Sequence, residues 1–215
     1  MIKLIDLLEN KILTTRRSPE ERSKNFLIAT QKKIQQYIKD GSKGDLDLGG
    51  TPITSLPQGL RVEGYLDLED TKITTLSQSL TVGGSLYLGN TKITSLPQGL
   101  TVGDFLDLFG TKITSLPQGL TVGGNLNLRY TPLTSLPQGL KVGGYLNLFG
   151  TRITSLPQGL TVGGDLNLRN TPITSLPQGL IVGGDLDLYN TPISKKYSKE
   201  QIKQMVPGVK GKIYI

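Results

Sequence analysis

The chain has 215 residues, with 24 Lys and Arg against 17 Asp and Glu, and it contains no cysteine, histidine or tryptophan. The absence of cysteine and histidine excludes disulfides, thiol nucleophiles, histidine-dependent triads and the usual zinc sites. Residues 1–43 contain ten basic and five acidic residues, residues 44–194 contain eight basic and eleven acidic residues, and residues 195–215 contain six basic residues and one acidic residue. A nucleic-acid binder that used its central part would carry the basic surplus there, so nucleic acid is not the expected partner of that part.

Residues 1–14 are apolar in places, but Asp6, Glu9 and Lys11 interrupt the run and no small-residue cleavage site follows. Their composition does not predict a secretory signal. No segment approaches the roughly 20 apolar residues that a membrane-spanning helix needs. We therefore expect a cytoplasmic protein that does not bind a membrane.

A helix is predicted over residues 19–40. Ser18 and Glu21 form a capping box, Pro19 occupies the first helical position, and Gly41 is a stop signal. The predicted apolar stripe consists of Phe26, Leu27, Ile34, Tyr37 and Ile38. We expect residues 1–43 to be a helical N-terminal cap, with the Arg16–Arg17 and Lys32–Lys33 pairs on its solvated side.

Residues 44–194 repeat a 20-residue unit, T-x-I-T-S-L-P-Q-G-L-x-V-G-G-x-L-x-L. A fixed period of this length predicts a solenoid in which each unit buries its apolar side against its neighbours. Each unit opens with a strand, as in residues 164–169, where Leu166 and Leu168 point inward and the residues between them outward. Proline and glycine predict an extended return, from which only Ser77 and Ser79 depart.

Two further features of the unit predict how its corners are built. Glycine pairs before most strands are expected to allow tight corners. A threonine three residues after the second strand leucine is expected to hydrogen-bond backbone groups of the adjoining turn. This column consists of Thr51, Thr71, Thr91, Thr111, Thr131, Thr151, Thr171 and Thr191.

Residues 195–215 are predicted to be a C-terminal cap. Ser198 and Gln201 form a second capping box, which predicts a helix over residues 199–205. Pro207 and Gly208 then turn the chain into residues 212–215, which alternate like a strand and are expected to add one more rung to the array.

The L-x-L-x-x-T-x-I stretch resembles the L-x-L-x-x-N-x-L signature of leucine-rich repeats, with threonine in place of asparagine. The unit with S-L-P-Q-G-L is similar to the short 20-residue bacterial class found in secreted effectors. The tail P-I-S-K-K-Y-S-K-E-Q-I, ending V-K-G-K-I-Y-I, resembles repeat proteins of marine phage genomes. The resemblance implies a mainly β solenoid with a parallel sheet. Effectors that ligate ubiquitin use a cysteine in a separate domain, so that activity does not transfer to this chain.

The strand positions expected to face solvent carry the aromatic residues of the array: Tyr65, Tyr87, Phe105, Phe109, Tyr130, Tyr145, Phe149 and Tyr189. Aromatic residues gathered on one face are typical of a binding surface. Phe109, Arg129, Phe149, Arg169 and Tyr189 occupy one position on successive rungs, which favours either a cation–π ladder that stabilises the sheet or a ligand-binding surface. A 40-residue super-period indicates that a two-coil block was duplicated, and copying alone would propagate these residues.

A polar column runs through Asp47, Asp67, Tyr87, Asp107, Asn127, Asn147, Asn167 and Asp187. Asp47 and Asp67, with Asp45 beside them, are expected either to stay solvated or to gather a cation such as calcium. A flat carboxylate ladder gives no reason for a catalytic pair. Lys72, Lys92, Lys112 and Arg152 are expected to form a solvated rim.

The sequence predicts a non-catalytic leucine-rich-repeat protein-binding module without cofactor or metal. Its expected partner is a protein, which the exposed strand face would bind through Phe105, Phe109, Arg129, Tyr145, Phe149 and Arg169. Two alternatives stay open. The solenoid would either associate with copies of itself, or its basic ends would bind nucleic acid or another acidic surface.

Overall fold

The computed structural model describes residues 18–215. The segment 1–14 and the Arg16–Arg17 pair lie outside these residues. Consecutive 20-residue units stack in parallel and in register, so that Leu46 pairs with Leu66 and Leu66 pairs with Leu86. The predicted parallel β-solenoid is therefore confirmed.

Three helices flank the coils within residues 18–215: Pro19–Lys39 (α1), Pro192–Lys196 (α2) and Lys199–Met205 (α3). Both predicted capping boxes are present, at Ser18 with Glu21 and at Ser198 with Gln201. The short helix α2 was not predicted. Thr191, the last threonine of the column, is its N-cap.

The first of two parallel sheets among the described residues has nine strands, each of two residues. In spatial order they are Leu46–Asp47 (β1), Leu66–Asp67 (β3), Leu86–Tyr87 (β5), Leu106–Asp107 (β7), Leu126–Asn127 (β9), Leu146–Asn147 (β11), Leu166–Asn167 (β13), Leu186–Asp187 (β15) and Ile213–Tyr214 (β16). Strand β16 pairs with β15, which confirms that the C-terminal segment adds a rung.

The second sheet has seven strands among residues 18–215 and was not predicted. Its strands are Arg61–Val62 (β2), Thr81–Val82 (β4), Thr101–Val102 (β6), Thr121–Val122 (β8), Lys141–Val142 (β10), Thr161–Val162 (β12) and Ile181–Val182 (β14). These residues were expected to belong to the extended return, because proline and glycine precede them in the sequence. The pairing becomes visible only when coils are stacked and the valines align.

The interior is a continuous column of aliphatic side chains. The inward leucines of the nine-stranded sheet, such as Leu66 and Leu68, are fully buried, and the valines of the second sheet join them. Leu56 and Leu176 are only partly buried, because they lie in the first and last returning segments. The predicted inward set is otherwise confirmed.

The glycines before the strands are needed because neighbouring coils approach closely. A Cβ atom on Gly103 would lie 1.8 Å from the carbonyl oxygen of Gly83, and one on Gly123 would lie 2.1 Å from that of Gly103. The expectation of tight corners is therefore correct, and its physical cause is contact between successive coils.

Helix α1 packs through a different stripe from the one predicted. Ile34 is buried, and Leu27 and Tyr37 pack against the core as expected. The expectation was wrong for Phe26 and Ile38, which are 50% and 38% exposed, because Thr30 faces the array at the intermediate position. Lys33 also contacts the array, since its Nζ donates a hydrogen bond to the carbonyl of Asp47.

The threonine column satisfies carbonyl groups inside each repeat. Every threonine hydroxyl donates to the carbonyl oxygen of the leucine three residues before it, at 2.6–2.8 Å. The acceptor was expected in the adjoining turn, but it belongs to the same repeat. The threonine thus closes the corner that follows its own strand.

Candidate functional site

The outward side chains of the nine-stranded sheet form one surface, which we call the strand face. It consists of the three odd-numbered positions around the strand leucines of each repeat, for example residues 105, 107 and 109. These side chains are mostly half-buried or exposed, whereas the leucines between them are buried. Asn147 and Ser85 are the buried polar members.

The polar column at the middle position of the strand face has a structural role. The side-chain oxygens of Asp47, Asp67, Asp107, Asn127, Asn147, Asn167 and Asp187 each accept the backbone N–H two residues further on, at 2.8–3.2 Å. This bond requires a short side chain with an acceptor oxygen, which explains why either Asp or Asn occurs at these seven positions. Among residues 18–215 no group of three or more His, Cys, Asp or Glu side chains has the arrangement of a metal site.

The first position of the strand face alternates between polar and aromatic residues from Asp45 to Tyr145. Asp45, Ser85 and Asn125 accept the backbone N–H of the aromatic residue on the next coil, which is Tyr65, Phe105 and Tyr145 respectively. Asp165 accepts the N–H of Asp185 in the same way. The bond therefore needs a polar residue on the preceding coil but does not itself impose the 40-residue super-period.

The aromatic residues form two ring groups, and these divide the six predicted anchors. Phe105 lies with Tyr65 and Tyr87, whose ring centroids are 6.1 Å apart, while those of Tyr87 and Phe105 are 5.6 Å apart. Phe109 and Phe149 form the second group with Tyr130, at 5.8 and 5.2 Å from its ring. All four contacts are edge-to-face, the preferred geometry of aromatic pairs. Tyr145 belongs to neither group among the described residues.

Arg129 lies among the rings of the second group. Its guanidinium carbon is 5.7 Å from the ring centroid of Phe109, 5.6 Å from that of Tyr130 and 5.5 Å from that of Phe149. These distances fall within the range of cation–π attraction. We call Phe109, Arg129, Tyr130 and Phe149 the Arg129 cluster.

Arg169, two coils further on, has different surroundings. Its guanidinium lies 4.8 Å from the Tyr189 ring and pairs with Asp187, with 3.6 Å between Nη1 and Oδ2. Its Nε is buried without a hydrogen-bond partner in the described part of the chain. The two arginines therefore occupy the same repeat position but have different partners.

Tyr130 was expected at a solvent-facing strand position, but it follows the strand and occupies a corner, and it was not among the predicted anchors. This corner has a left-handed backbone in every repeat, and Gly, Asn or Asp fills it elsewhere. Tyr130 has φ +57° there, a conformation that costs a residue with a Cβ about 1–2 kcal/mol. A Cβ on Gly150 would lie 2.9 Å from Cδ1 of Tyr130, so the glycine leaves room for the ring. The sequence signal that could have identified Tyr130 is a tyrosine at a repeat position where the other repeats have Gly, Asn or Asp.

Two carboxylates of the strand face have altered titration. Burial raises the pKa of Asp107, although the N–H of Phe109, the amide of Asn127 and the charge of Arg129 act in the opposite direction. Burial also raises the pKa of Glu69, and the nearby carboxylates of Asp67, Asp107 and Asp70 add to the effect. The strand face near Asp107 is thus less polar than a free surface.

Comparison with solved structures supports the assignment of the fold. The structure of a Shigella effector LRR domain matches with a TM-score of 0.60 and 18% sequence identity, covering 95% of this chain and 93% of that one. No protein-family model and no curated protein matches the sequence. Among residues 18–215 no helix has the length and apolarity needed to cross a bilayer. By the stacking of its coils and by this likeness, the chain has the leucine-rich-repeat fold.

Proposed function

We propose that the chain is a non-catalytic protein-binding module that contacts its partner through the strand face. The anchors are Phe105, Phe109, Arg129, Tyr145, Phe149 and Arg169. The supporting observation is that the fold does not require these rings and cations. At the first position, which holds Phe105 and Tyr145, other repeats carry Asp, Asn or Ser, whose oxygens accept backbone N–H groups that a ring cannot satisfy. At the third position, which holds the other four anchors, other repeats carry Gly49, Glu69 and Gly89.

A purely stabilising role for the rings is the competing explanation. Each edge-to-face pair is worth about 0.5–1.5 kcal/mol beyond burial of its area, so the ring groups also support the sheet. Stability and binding can be separated by experiment. A structural role lowers the melting temperature when rings are removed, whereas a recognition role lowers affinity in variants that remain folded.

The test is affinity capture from an extract of the source cells with three immobilised proteins: the intact chain, the double variant Phe109→Ala/Phe149→Ala and the control Phe26→Ala. Phe26 is an exposed phenylalanine on α1, away from the strand face. The proposal expects partners captured by the intact chain and by the control, and lost with the double variant. Equal capture by all three folded proteins, judged by circular dichroism, would contradict it.

Two other functions make different predictions. Self-association of the solenoid predicts a mass above 23.3 kDa in light scattering after size exclusion. Binding of nucleic acid or an acidic surface through the basic ends predicts affinity that falls steeply between low and moderate salt. We also propose that the chain belongs to the short 20-residue bacterial or phage class of leucine-rich-repeat proteins. On this proposal it is encoded by a phage and acts in the cytoplasm of the host.

A further inference from the structure

Arg129 carries a charge that no carboxylate neutralises at ion-pair distance among the described residues. The equivalent Arg169 is paired with Asp187 on the next coil. For Arg129, the equivalent position on the next coil is Asn147, which has no charge. The amide oxygen of Asn147 accepts the N–H of Phe149. The two arginines therefore form a matched pair, one neutralised within the chain and one not.

The carboxylate of Asp107 on the preceding coil does not supply the missing partner. It attracts Arg129 electrostatically, but the two side chains form no ion pair within 4.0 Å among the described residues, and its Oδ1 accepts hydrogen bonds from the N–H of Phe109 and from Nδ2 of Asn127. The guanidinium of Arg129 instead faces three rings, which attract a cation but accept no strong hydrogen bonds. Its N–H donors are thus available to a planar acceptor.

The surrounding side chains define the chemistry of that acceptor. Tyr130 offers an apolar ring that is 52% exposed directly beside the guanidinium. Asp107 lies on the preceding coil, Asp165 and Asp187 lie two and three coils further along the strand face, and residues 44–194 have more acidic than basic residues. A polyanion such as a nucleic acid, which extends over several coils, would be repelled by these carboxylates more strongly than one carboxylate at Arg129.

Tyr130 is also the member of the cluster that block duplication does not explain. The duplicated block repeats Phe109 as Phe149 and Arg129 as Arg169, but Tyr130 corresponds to Asn170. Asn170 has the same left-handed backbone, so the fold accepts the shorter residue at this corner. The strained tyrosine is therefore specific to the coil that carries the unpaired arginine.

We propose that the Arg129 cluster binds a protein segment that presents one Asp or Glu side chain next to an apolar side chain. The carboxylate pairs with the guanidinium of Arg129, and the apolar side chain packs on Tyr130. This inference rests on the proposed function of the strand face and specifies the partner's chemistry. The pairing is bidentate in the geometry that arginine and carboxylate favour.

The test is selection of a random peptide display library on the intact chain, followed by affinity measurement of the enriched peptides. The expected peptides carry Asp or Glu beside an apolar residue. Arg129→Gln, Tyr130→Asn and replacement of the peptide's acidic residue by its amide should each weaken binding at least tenfold. Combining Arg129→Gln with the amide peptide should add little, because both changes remove the same contact.

Asn147→Asp gives a test that removes no side chain from the cluster. It introduces the carboxylate that Asp187 gives to Arg169, and its oxygen can still accept the N–H of Phe149. The intramolecular pair should then compete with the peptide and lower its affinity about tenfold. Arg152→Gln is the control for loss of one positive charge, because Arg152 is exposed outside the strand face, and it should leave the affinity unchanged.

The outcomes separate this inference from the proposed function. Peptides that depend on Phe105 or Tyr145 but carry no acidic residue, or that bind Arg129→Gln as well as the intact chain, would overturn the inference and leave the binding face in place. Failure to enrich any peptide above a control surface would count against both. Equal loss with Arg129→Gln and Arg152→Gln would indicate general charge attraction and would also overturn the inference.

Discussion

At the scale of single residues, Asp107 illustrates how the polar column balances two demands. The position needs a short side chain that accepts the N–H two residues on, and either Asp or Asn supplies it. The charge of Asp is an additional cost where the site is partly buried, as the raised pKa of Asp107 indicates. An amide would keep the hydrogen bond and remove that cost.

The first prediction concerns the substitution Asp107→Asn. A carboxyl group with a raised pKa in the folded state binds its proton more tightly there than in the unfolded chain. Its charged form therefore lowers stability above the folded pKa, and the penalty disappears as pH falls below the unfolded value of about 3.9. We expect the variant to melt higher at pH 7, on the order of 1–2 °C, because the site is partly solvated.

The measurement is thermal denaturation followed by circular dichroism at pH 7 and near pH 3.5. The gain from Asp107→Asn should be present at pH 7 and absent at the lower pH. A variant that melts lower than the intact chain at pH 7 would show that the attraction of Arg129 for the carboxylate outweighs the cost of burial.

The second prediction concerns Ser77, which replaces the proline of the other repeats. Its hydroxyl is buried without a hydrogen-bond partner among the described residues. Its carbonyl accepts the N–H of Leu80, the same bond that Pro97 makes with Leu100. Ser77→Pro should therefore stabilise the chain by about 0.5–1 kcal/mol, since it restricts the unfolded chain and removes the unpaired hydroxyl.

Ser79→Gly is the matched control, because it also restores the residue of the other repeats. Ser79 does not have the left-handed backbone of the equivalent glycines, and its hydroxyl accepts the N–H of Gly59. This variant should gain no stability. Denaturant titration of both proteins measures the difference, and equal stabilisation by the two changes would contradict the assignment.

At the scale of elements, local signals in the sequence were sufficient for α1 and α3, whereas α2 was missed although Thr191 and Ser194 form a capping box at its start. Ser18 with Glu21, and Ser198 with Gln201, gave the ends of α1 and α3, because a capping box is a contact between near neighbours in sequence. The second sheet, the acceptor of the threonine hydroxyls and the corner tyrosine were missed. They depend on how one coil lies on the next or on the backbone angle at a corner, which composition does not reveal.

The third prediction tests which face of α1 covers the array. The sequence placed both Ile34 and Ile38 in the apolar stripe, but Ile34 is 3% exposed and Ile38 is 38% exposed. Ile34→Ala should cost about 2–4 kcal/mol of unfolding free energy, because it leaves a cavity above the first coil. Ile38→Ala should cost well under half as much, since the side chain is already partly in water.

Chemical denaturation of the two variants gives these values. Amide exchange at Leu46 and Leu48 reports whether the end of the sheet opens when α1 is weakened. If the two variants lost similar free energy of unfolding, Ile38 would contribute to the core as the sequence predicted, and the observed packing of α1 would be contradicted.

At the scale of the whole molecule, stability is expected to be a sum of coils and of the contacts between neighbouring coils. Some neighbouring coils share one further bond, in which Asp45, Ser85 or Asn125 accepts a backbone N–H of the next coil. Asp165 accepts the N–H of Asp185 in the same way, so this bond depends on a polar residue in the preceding coil and not on an aromatic one in the next. The position of the six proposed anchors on the strand face could be predicted from the sequence, but their division into separate groups depends on how the coils stack.

The fourth prediction uses two deletions that each remove one 40-residue block. Deleting residues 105–144 places Ser85 before Tyr145, and deleting residues 145–184 places Asn125 before Asp185. In both cases an acceptor remains for the next N–H, and the leucines and valines stay in register. Deletion of 145–184 also brings Asn190 into the place of Gly150, so it is combined with Asn190→Gly to keep room for the Tyr130 ring, and both shortened chains should then fold with similar thermal stability. Deletion of 105–144 removes Phe109, Arg129 and Tyr130, whereas deletion of 145–184 keeps them and brings Tyr189 into the place of Phe149.

Circular dichroism and denaturation compare the folding of the two deletion variants, and the enriched acidic peptides compare their binding. The chain that lacks 145–184 keeps an aromatic residue on each coil next to Arg129, but it brings Asp187 into the place of Asn147, so its affinity should fall about tenfold, as with Asn147→Asp. Adding Asp187→Asn to this chain should restore most of the affinity. If the chain that lacks 105–144 bound equally well, the carboxylate-binding site would have to lie outside the Arg129 cluster.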